Sequence, residues 1–372
     1  MSRSAARPRR VQPQDAVQIA LQRDLDKSAH IRDVVLQAGR DLRQRHPWLR
    51  HQNTIGATIL ALALTGMVLS GWAYLAGAWP AWACIVATAF CASLTHELEH
   101  DLIHLMYFRQ RPWAHRLMMV LVWVARPNTI NPFIRRHLHL HHHKQSGTPS
   151  DLEERAITNG VRWTPLRLLM MLDQPLGSLL HLRQIMSADR QYKALQHPSG
   201  PLQRWLLRLQ SLIVYSPLGG LYFFPLYAFV LAHGAQVIAP GLGWTLPAWA
   251  SSPEAAHALA MLDAYAVVYV LPNCLRSFCL FFVSSNLHYY GDIAPHNPMQ
   301  QTQVLNPWWM LPLQAFCFNF GSTHAIHHFA VKEPFYIRQW TAPTAHRVMR
   351  EMGVRFNDLG TFRRANRWSV TA

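Results

Sequence analysis

The chain has 372 residues, half of them hydrophobic, with 22 His, 14 Trp, 24 Pro and a formal charge of +16. Its length permits two soluble domains. The apolar residues, however, gather in blocks free of Lys and Arg, which excludes an ordinary soluble chain and predicts an all-α membrane protein. The basic residues are scattered around those blocks, which excludes a nucleic-acid face and fits contact with anionic lipid.

In chain order, residues 1–12 are expected to be disordered. Residues 13–46 alternate charged and apolar character (Val17, Leu21, Leu25, Ile31, Val35, Leu42 among the latter), which predicts one or two amphipathic helices on the membrane surface. No early apolar signal segment is visible in residues 1–50, read as an N-terminal cytoplasmic region. No Lys or Arg then occurs between Arg50 and Arg109. That gap holds a hairpin of two spans, Thr54–Tyr74 and Ala81–Leu94, turning at Gly77–Pro80 beside Trp72, Trp79 and Trp82. The second span runs into His96-Glu-Leu-Glu-His100, and His104 follows one turn later. Leu117–Ala125 is too short to span and reads as an interfacial or re-entrant helix before His139-Leu-His-His142-His143.

Residues 144–202 are polar and read as a helical cap. A second gap without Lys or Arg, from Arg208 to Arg276, holds spans expected at Leu206–Leu231 and Ala258–Val283, joined by a loop at His233–His257. Asn286 and a lone His288 follow the last span. Trp308–Phe320 is again too short to cross, and it leads into His324-Ala-Ile-His327-His328, which Phe320-Gly-Ser-Thr323 is expected to cap. Residues 336–372 form a basic tail, leaving 51–335 as the membrane domain. The positive-inside rule puts the basic segments, both termini and all three histidine boxes on the cytoplasmic side of an inner membrane. The expected architecture is therefore about four transmembrane helices in two hairpins with a cytoplasmic helical cap. The five Cys form no CxxC pair and read as reduced core residues.

The boxes are one HxxxH and two HxxHH patterns. Positions i, i+3 and i+4 share a helix face, so each box aims two or three imidazoles at one point. Neutral imidazole suits iron, copper, zinc and nickel. Eight imidazoles exceed the four ligands of one zinc and fit two ions. In the second box an alternative HxxxHH register would use His137, His141 and His142. His96-Glu97-Leu-Glu-His100 also satisfies the HExxH zinc-protease pattern, but the later Asp motif of intramembrane proteases is missing. A metal carrier is a further alternative; it requires polar residues along the spans. His104 continues the 96–100 face and is a candidate further ligand, but it is expected rather to pack or to orient a ligand. Glu97, Glu99, Asp101, Asp151 and Asp292 are candidates to hold ring N–H groups, and Asn286 is a candidate to meet a metal directly or through water.

The order HxxxH, HxxHH, lone His, HxxHH resembles the membrane fatty-acid desaturase and hydroxylase superfamily, over roughly residues 54–335. The first box, Thr148-Pro149-Ser-Asp151 and the setting of His288 look like its alkane-monooxygenase branch. The third box, with no preceding Gln-Arg-His, looks more like the acyl desaturases. The resemblance implies a mushroom of four spans under a cap. It also implies two irons held by His96, His100, His139, His142, His143, His288, His324, His327 and His328, with O2 as co-substrate. Unactivated C–H bonds need such an oxidant. The activity implied is desaturation of a fatty-acyl chain, with hydroxylation of an acyl or alkane chain and decarboxylation to a 1-alkene as alternatives. No rubredoxin-type Cys set or GxGxxG motif is present. A separate donor of ferredoxin, rubredoxin or cytochrome b5 type, with its reductase, is therefore expected to dock on the basic face.

Overall fold

The structure, a computed structural model, describes residues 13–369; the disorder expected of residues 1–12 falls outside them. Among the described residues every extended element is helical, and β pairing is limited to two isolated bridges, His288 with Thr302 and Val304 with Phe356. Among the described residues four helices are long and apolar enough to cross a membrane: Gln52–Leu75, Ala81–Ile103, Gly220–Gly241 and Pro253–Ser284. At a rise of about 1.5 Å per residue each covers the roughly 30 Å of a bilayer core.

The first hairpin closes so tightly that a Cβ at Gly66 would lie 2.6 Å from Cys91 Sγ, and one at Gly71 would lie 2.8 Å from Val268 of the fourth span. Small residues at such crossings let helix backbones approach where lipid supplies no hydrophobic drive. The third span begins at Gly220, later than the expected Leu206. Leu206 belongs to a separate helix, Pro201–Leu212, whose Arg204 and Arg208 keep it out of an apolar span. Pro217 and the Gly219–Gly220 pair separate the two. The expected loop at 233–257 is in fact largely the end of the third span, which runs to Gly241, and the start of the fourth at Pro253. The fourth widens to a π-turn at Ala266–Val270 just before Pro272, whose missing N–H breaks the regular ladder. Of the spans' apolar stretches, 50% and 61% are buried in the second and fourth, against 28% and 11% in the first and third. The second and fourth are therefore the inner pair, and their ends at Ile103 and Ser284 carry the histidines.

Beyond those ends lie the helices Pro132–Gln145, Phe320–Phe329 and Phe335–Met352. Residues 13–45 form one helix whose inner face docks on protein: Ile31 and Val35 pack with Ile326, Phe329, Val348 and Met349. Arg43 reinforces the contact with two bonds to Glu333, at 3.1 and 2.7 Å. The last described residues fold back too. Asn366 donates to the backbone oxygens of Ser285 and His288, and Asp292 accepts from the amides of Trp368 and Ser369. Trp308–Phe320 is not one helix. It breaks into short turns, Trp308–Met310 and Leu311–Ala315, because Pro312 and the left-handed Phe318 and Asn319 interrupt it.

Candidate metal centre

Each box is placed by ordinary helix physics. His96 and His100 sit four residues apart on the second span, and His104 is that helix's C-cap. The segment thus carries two overlapping HxxxH patterns, 96–100 and 100–104. The second box lies on Pro132–Gln145, which Asn131 caps by accepting from the Phe133 amide at 3.0 Å. The third box lies within Phe320–Phe329. Ser322 and Thr323 belong to that helix instead of capping it, and Asn319 precedes it in a left-handed conformation, φ 59°.

Two groups of four histidines result. In the first, His100, His104, His139 and His327 each place a ring nitrogen within 4.8 Å of the others. His104 Nε2 is 3.0 Å from His139 Nε2 and 3.1 Å from His327 Nε2. In the second, His142, His288, His324 and His328 do the same. There the Nε2 atoms of His288, His324 and His328 form a triangle with sides of 3.1, 3.2 and 3.2 Å. His143 lies between the groups. Its Nε2 is 2.9 Å from His327 Nε2 and 3.1 Å from His139 Nε2, and its ring is 5.0 Å from that of His328.

Eight of the nine residues singled out in the sequence converge here, while His96 stands outside both groups and His104 takes a place in one. The first box is thus drawn one helical turn further along than the 96–100 spacing suggests. His96 turns instead toward Arg126, with Nδ1 3.5 Å from Nη1, and packs on Phe320. In the second box the structure brings together His139, His142 and His143. His137 is exposed, and His141 Nε2 meets Ser150 Oγ at 3.1 Å.

The run Asp151-Leu-Glu153-Glu154 stands behind the imidazoles. Asp151 Oδ2 lies 2.9 Å from His142 Nδ1, Glu153 Oε2 lies 2.9 Å from His139 Nδ1, and Glu154 Oε2 lies 3.2 Å from His288 Nδ1. Gln301 Oε1 is 3.4 Å from His328 Nδ1. Asp151 also accepts from the Gly147 and Glu154 amides, so it caps the next short helix while it holds a ring. Of the acidic residues expected in this role only Asp151 fills it. Glu99 is spent on Arg126 and Arg135, Glu97 and Asp101 on Arg338, and Asp292 on the C-terminal segment. These four carboxylates meet guanidinium or backbone N–H groups, and none of them has a histidine ring as its partner. His104, for which the sequence favours a packing or orienting role over that of a further ligand, takes a ligand's place, and Glu153, Glu154 and Gln301 were not identified from the sequence as site residues. The acidic run after the second box would have flagged the two glutamates. Asn286 donates its amide to Phe282 O at 2.6 Å and leaves Oδ1 buried without a partner.

Burial holds the imidazoles of His139, His143, His324, His327 and His328 below their usual range, and that of His104 at about 2. These rings are therefore neutral, as metal ligands must be. Burial also pushes His142 down, but Asp151 and its hydrogen bond outweigh that and hold it at about 10. A cation at His142 Nε2 would take the place of that second proton while Asp151 keeps the one on Nδ1.

The donor set fits a pair of metal ions. A neutral imidazole nitrogen offers either one proton or one lone pair. The triangle of Nε2 atoms therefore cannot satisfy itself by hydrogen bonds, whereas a shared cation accepts all three lone pairs. Nitrogens bound at about 2.0–2.1 Å would lie about 3.0–3.4 Å apart, close to the spacings found here. His100 has both ring nitrogens, and His142 its Nε2, buried without a partner.

A family model described as fatty acid desaturase matches residues 76–360, well over half of the chain. No curated protein matches it.

Proposed function

This chain belongs to the fatty acid desaturase family, and from that premise we propose that it is an O2-dependent, di-iron membrane oxidoreductase that desaturates a fatty-acyl chain. The observation that carries the reading is the pair of four-histidine groups, each with its ring nitrogens within 4.8 Å. His100, His104, His139 and His327 would hold one iron, and His142, His288, His324 and His328 the other, with His143 between them. Bound iron supplies the oxidising power, drawn from O2, that an unactivated C–H bond demands.

The chain's own residues do the rest. Asp151 and Glu153 hold the Nδ1 protons of His142 and His139, which fixes ring orientation and keeps Nε2 free for metal, and Glu154 places a carboxylate 3.2 Å from His288 Nδ1. Phe320 stacks on His324 with ring centroids 4.2 Å apart and covers the centre with an apolar face. By the positive-inside rule this end of the bundle, the surrounding cap and both termini face the cytoplasm, where a ferredoxin, rubredoxin or cytochrome b5 type donor meets the basic surface.

A zinc protease fits less well. Glu97, the base it needs, sits 3.4 Å from Arg338, and His96 and His100 share no ion site. The test is metal analysis of the purified protein together with mass spectrometry of lipids and hydrocarbons from a host that also expresses an electron donor. Two irons per chain and new double bonds are expected. One zinc per chain, or unchanged lipids with a competent donor, would overturn the proposal. Hydroxylated chains or terminal alkenes would keep the iron centre and replace the reaction.

A further inference from the structure

We propose that a cleft between the helices Leu182–Leu195 and Pro201–Leu212 receives an anionic phospholipid of the adjoining leaflet, so that the acyl chain acted on is still esterified in a membrane lipid; the proposal deepens the function read above and rests on it. The cleft has an open part and a deep part. The open part, about 350 Å³, is lined by Asp189, Arg190, Lys193, Arg204, Leu207 and Arg208. The deep part, about 480 Å³, is largely apolar, with Ile134, Leu138, Leu152, Ile185, Met186 and Leu212 in its wall. Asp189, Lys193, Leu207 and Arg208 line both, so the two adjoin. Ligand sites fall at about 300–1,000 Å³.

Charge at the mouth selects the head group. Asp189 Oδ2 is 2.6 Å from Lys193 Nζ, and Asp189 Oδ1 accepts from Ser211 Oγ at 2.9 Å. The one acid is thus neutralised within the cleft. Among the described residues no carboxylate lies within ion-pair distance of Arg190, Arg204 or Arg208. Arg204 and Arg208 stand one turn apart on the same helix. Guanidinium groups suit phosphate, whose oxygens accept their paired N–H groups, and a lipid phosphate brings the negative charge that the mouth lacks.

The surroundings put the source of the ligand in the membrane. Helix Pro201–Leu212 buries none of its residues. Leu202, Trp205, Leu206 and Leu212 form one apolar stripe that stays exposed, Leu212 by 82%. Leu179, Leu180 and Met186 continue that apolar surface. Such a stripe opposite two arginines belongs to a helix lying in the membrane interface, and this one leads into the third span at Gly220. A soluble acyl thioester would have to cross that interface to enter, whereas a lipid of the leaflet already lies beside the mouth. The deep part adjoins the centre in turn. Ile130 lines it and also lines the small cavity bordered by His96, Glu153 and Phe320. Tyr215 of the deep part donates to Gln174 of the small cavity at 2.9 Å. Phe320 stacks on His324, so a chain held by its phosphate at the mouth runs toward the second histidine group.

The test is equilibrium binding of dioleoyl phosphatidylglycerol, dioleoyl phosphatidylcholine and oleoyl-coenzyme A to the full-length protein in detergent. Phosphatidylglycerol is expected to bind at least about tenfold more tightly than phosphatidylcholine. Arg204→Gln with Arg208→Gln should erase that preference. Arg23→Gln with Arg347→Gln, at exposed positions on the helices Pro13–Arg45 and Phe335–Met352, should leave it unchanged. Ile185→Trp, which fills the deep part, should weaken both lipids alike. Equal binding of the two lipids by the unmodified protein would overturn the proposal, as would an undiminished preference in Arg204→Gln with Arg208→Gln. An equal loss in both double variants would overturn it too, as the mark of net charge alone. Oleoyl-coenzyme A binding more tightly than phosphatidylglycerol would replace the lipid by a soluble thioester. If the Arg204 and Arg208 double variant does not accumulate, Arg204→Gln alone should lower the preference, and no change in it would count against the site. A phosphatidylglycerol preference in a protein without iron or turnover would sink the functional reading and leave the lipid site standing. Turnover of lipid with no such preference would do the reverse.

Discussion

The two histidine groups differ in how their rings are held. In the second, two of four imidazoles have a hydrogen-bond partner on the nitrogen away from the centre, Asp151 behind His142 and Gln301 behind His328, and Glu154 Oε2 stands 3.2 Å behind His288. In the first, only His139 has one, Glu153. His100 has neither nitrogen partnered, and His327 Nδ1 is likewise free. A ring fixed from behind meets an ion already oriented, whereas a ring held only by packing needs the ion to fix it. The second group is thus the pre-organised site, and the first is the one that ion binding must order.

The largest effects should come from the first group's own ligands. His104→Ala and His327→Ala are expected to abolish turnover and lower bound iron from two per chain to one, as measured by metal analysis of protein still inserted in membranes. His96→Ala is expected to keep both irons, because His96 faces Arg126 and touches neither group. Iron loss on His96→Ala equal to that on His104→Ala would return the first box to 96–100. The contrast is sharp because His96, His100 and His104 share one helical stripe and differ only by a turn each.

The carboxylates behind the rings should matter less, and unequally. Loss of an outer partner costs about 10- to 100-fold in metal affinity or activity. Glu153→Gln removes the only such partner in the first group, so it should lie at the upper end. Asp151→Asn leaves Glu154 and Gln301 in place behind the second group, and Asn still caps the short helix. Competition with an iron chelator should therefore strip one iron from Glu153→Gln well before Asp151→Asn loses either. Simultaneous loss from both variants would break the distinction between an ordered and an unordered site.

The sequence disclosed what charge and period can disclose. Gaps in Lys and Arg located both hairpins, and the i, i+3, i+4 spacing located the second and third boxes. It misplaced the start of the third span because the leucines of 206–212 adjoin the gap without Lys or Arg, although Arg208 lies among them and, with Arg204, marks a separate helix. It chose His96 over His104 because both pairs satisfy one spacing, and the choice depends on where the second span ends relative to two other helices. Glu153 and Glu154 escaped for a related reason. A carboxylate's partner is settled by tertiary contact, and the acidic residues nearest in sequence, Glu97, Glu99 and Asp101, are claimed by arginines 27 to 241 positions away. The same limit hid the docking of helix 13–45. Its apolar stripe suits a membrane surface or a protein surface equally, and only the position of Ile326 and Met349 decides.

The smallest effects are expected at the second box's spare histidines, where they test the register of the whole run. Successive helix residues turn by about 100°, so His139, His142 and His143 share the inward face and His137 and His141 face away from it. His141 is half-buried, bonds Ser150 Oγ and stands edge-on to Tyr192 at 5.0 Å. His141→Ala should leave both irons in place and cost about 1 kcal/mol of stability, the worth of one hydrogen bond. His137→Ala, at an exposed position, should cost less still. Thermal unfolding reads the first effect and metal analysis confirms the second. Damage from His141→Ala that matched His142→Ala would mean the helix presents the opposite register, and His139 would then leave the first group. Glu153 would lose its ring with it, so the ordered and unordered sites described above stand or fall with this modest substitution.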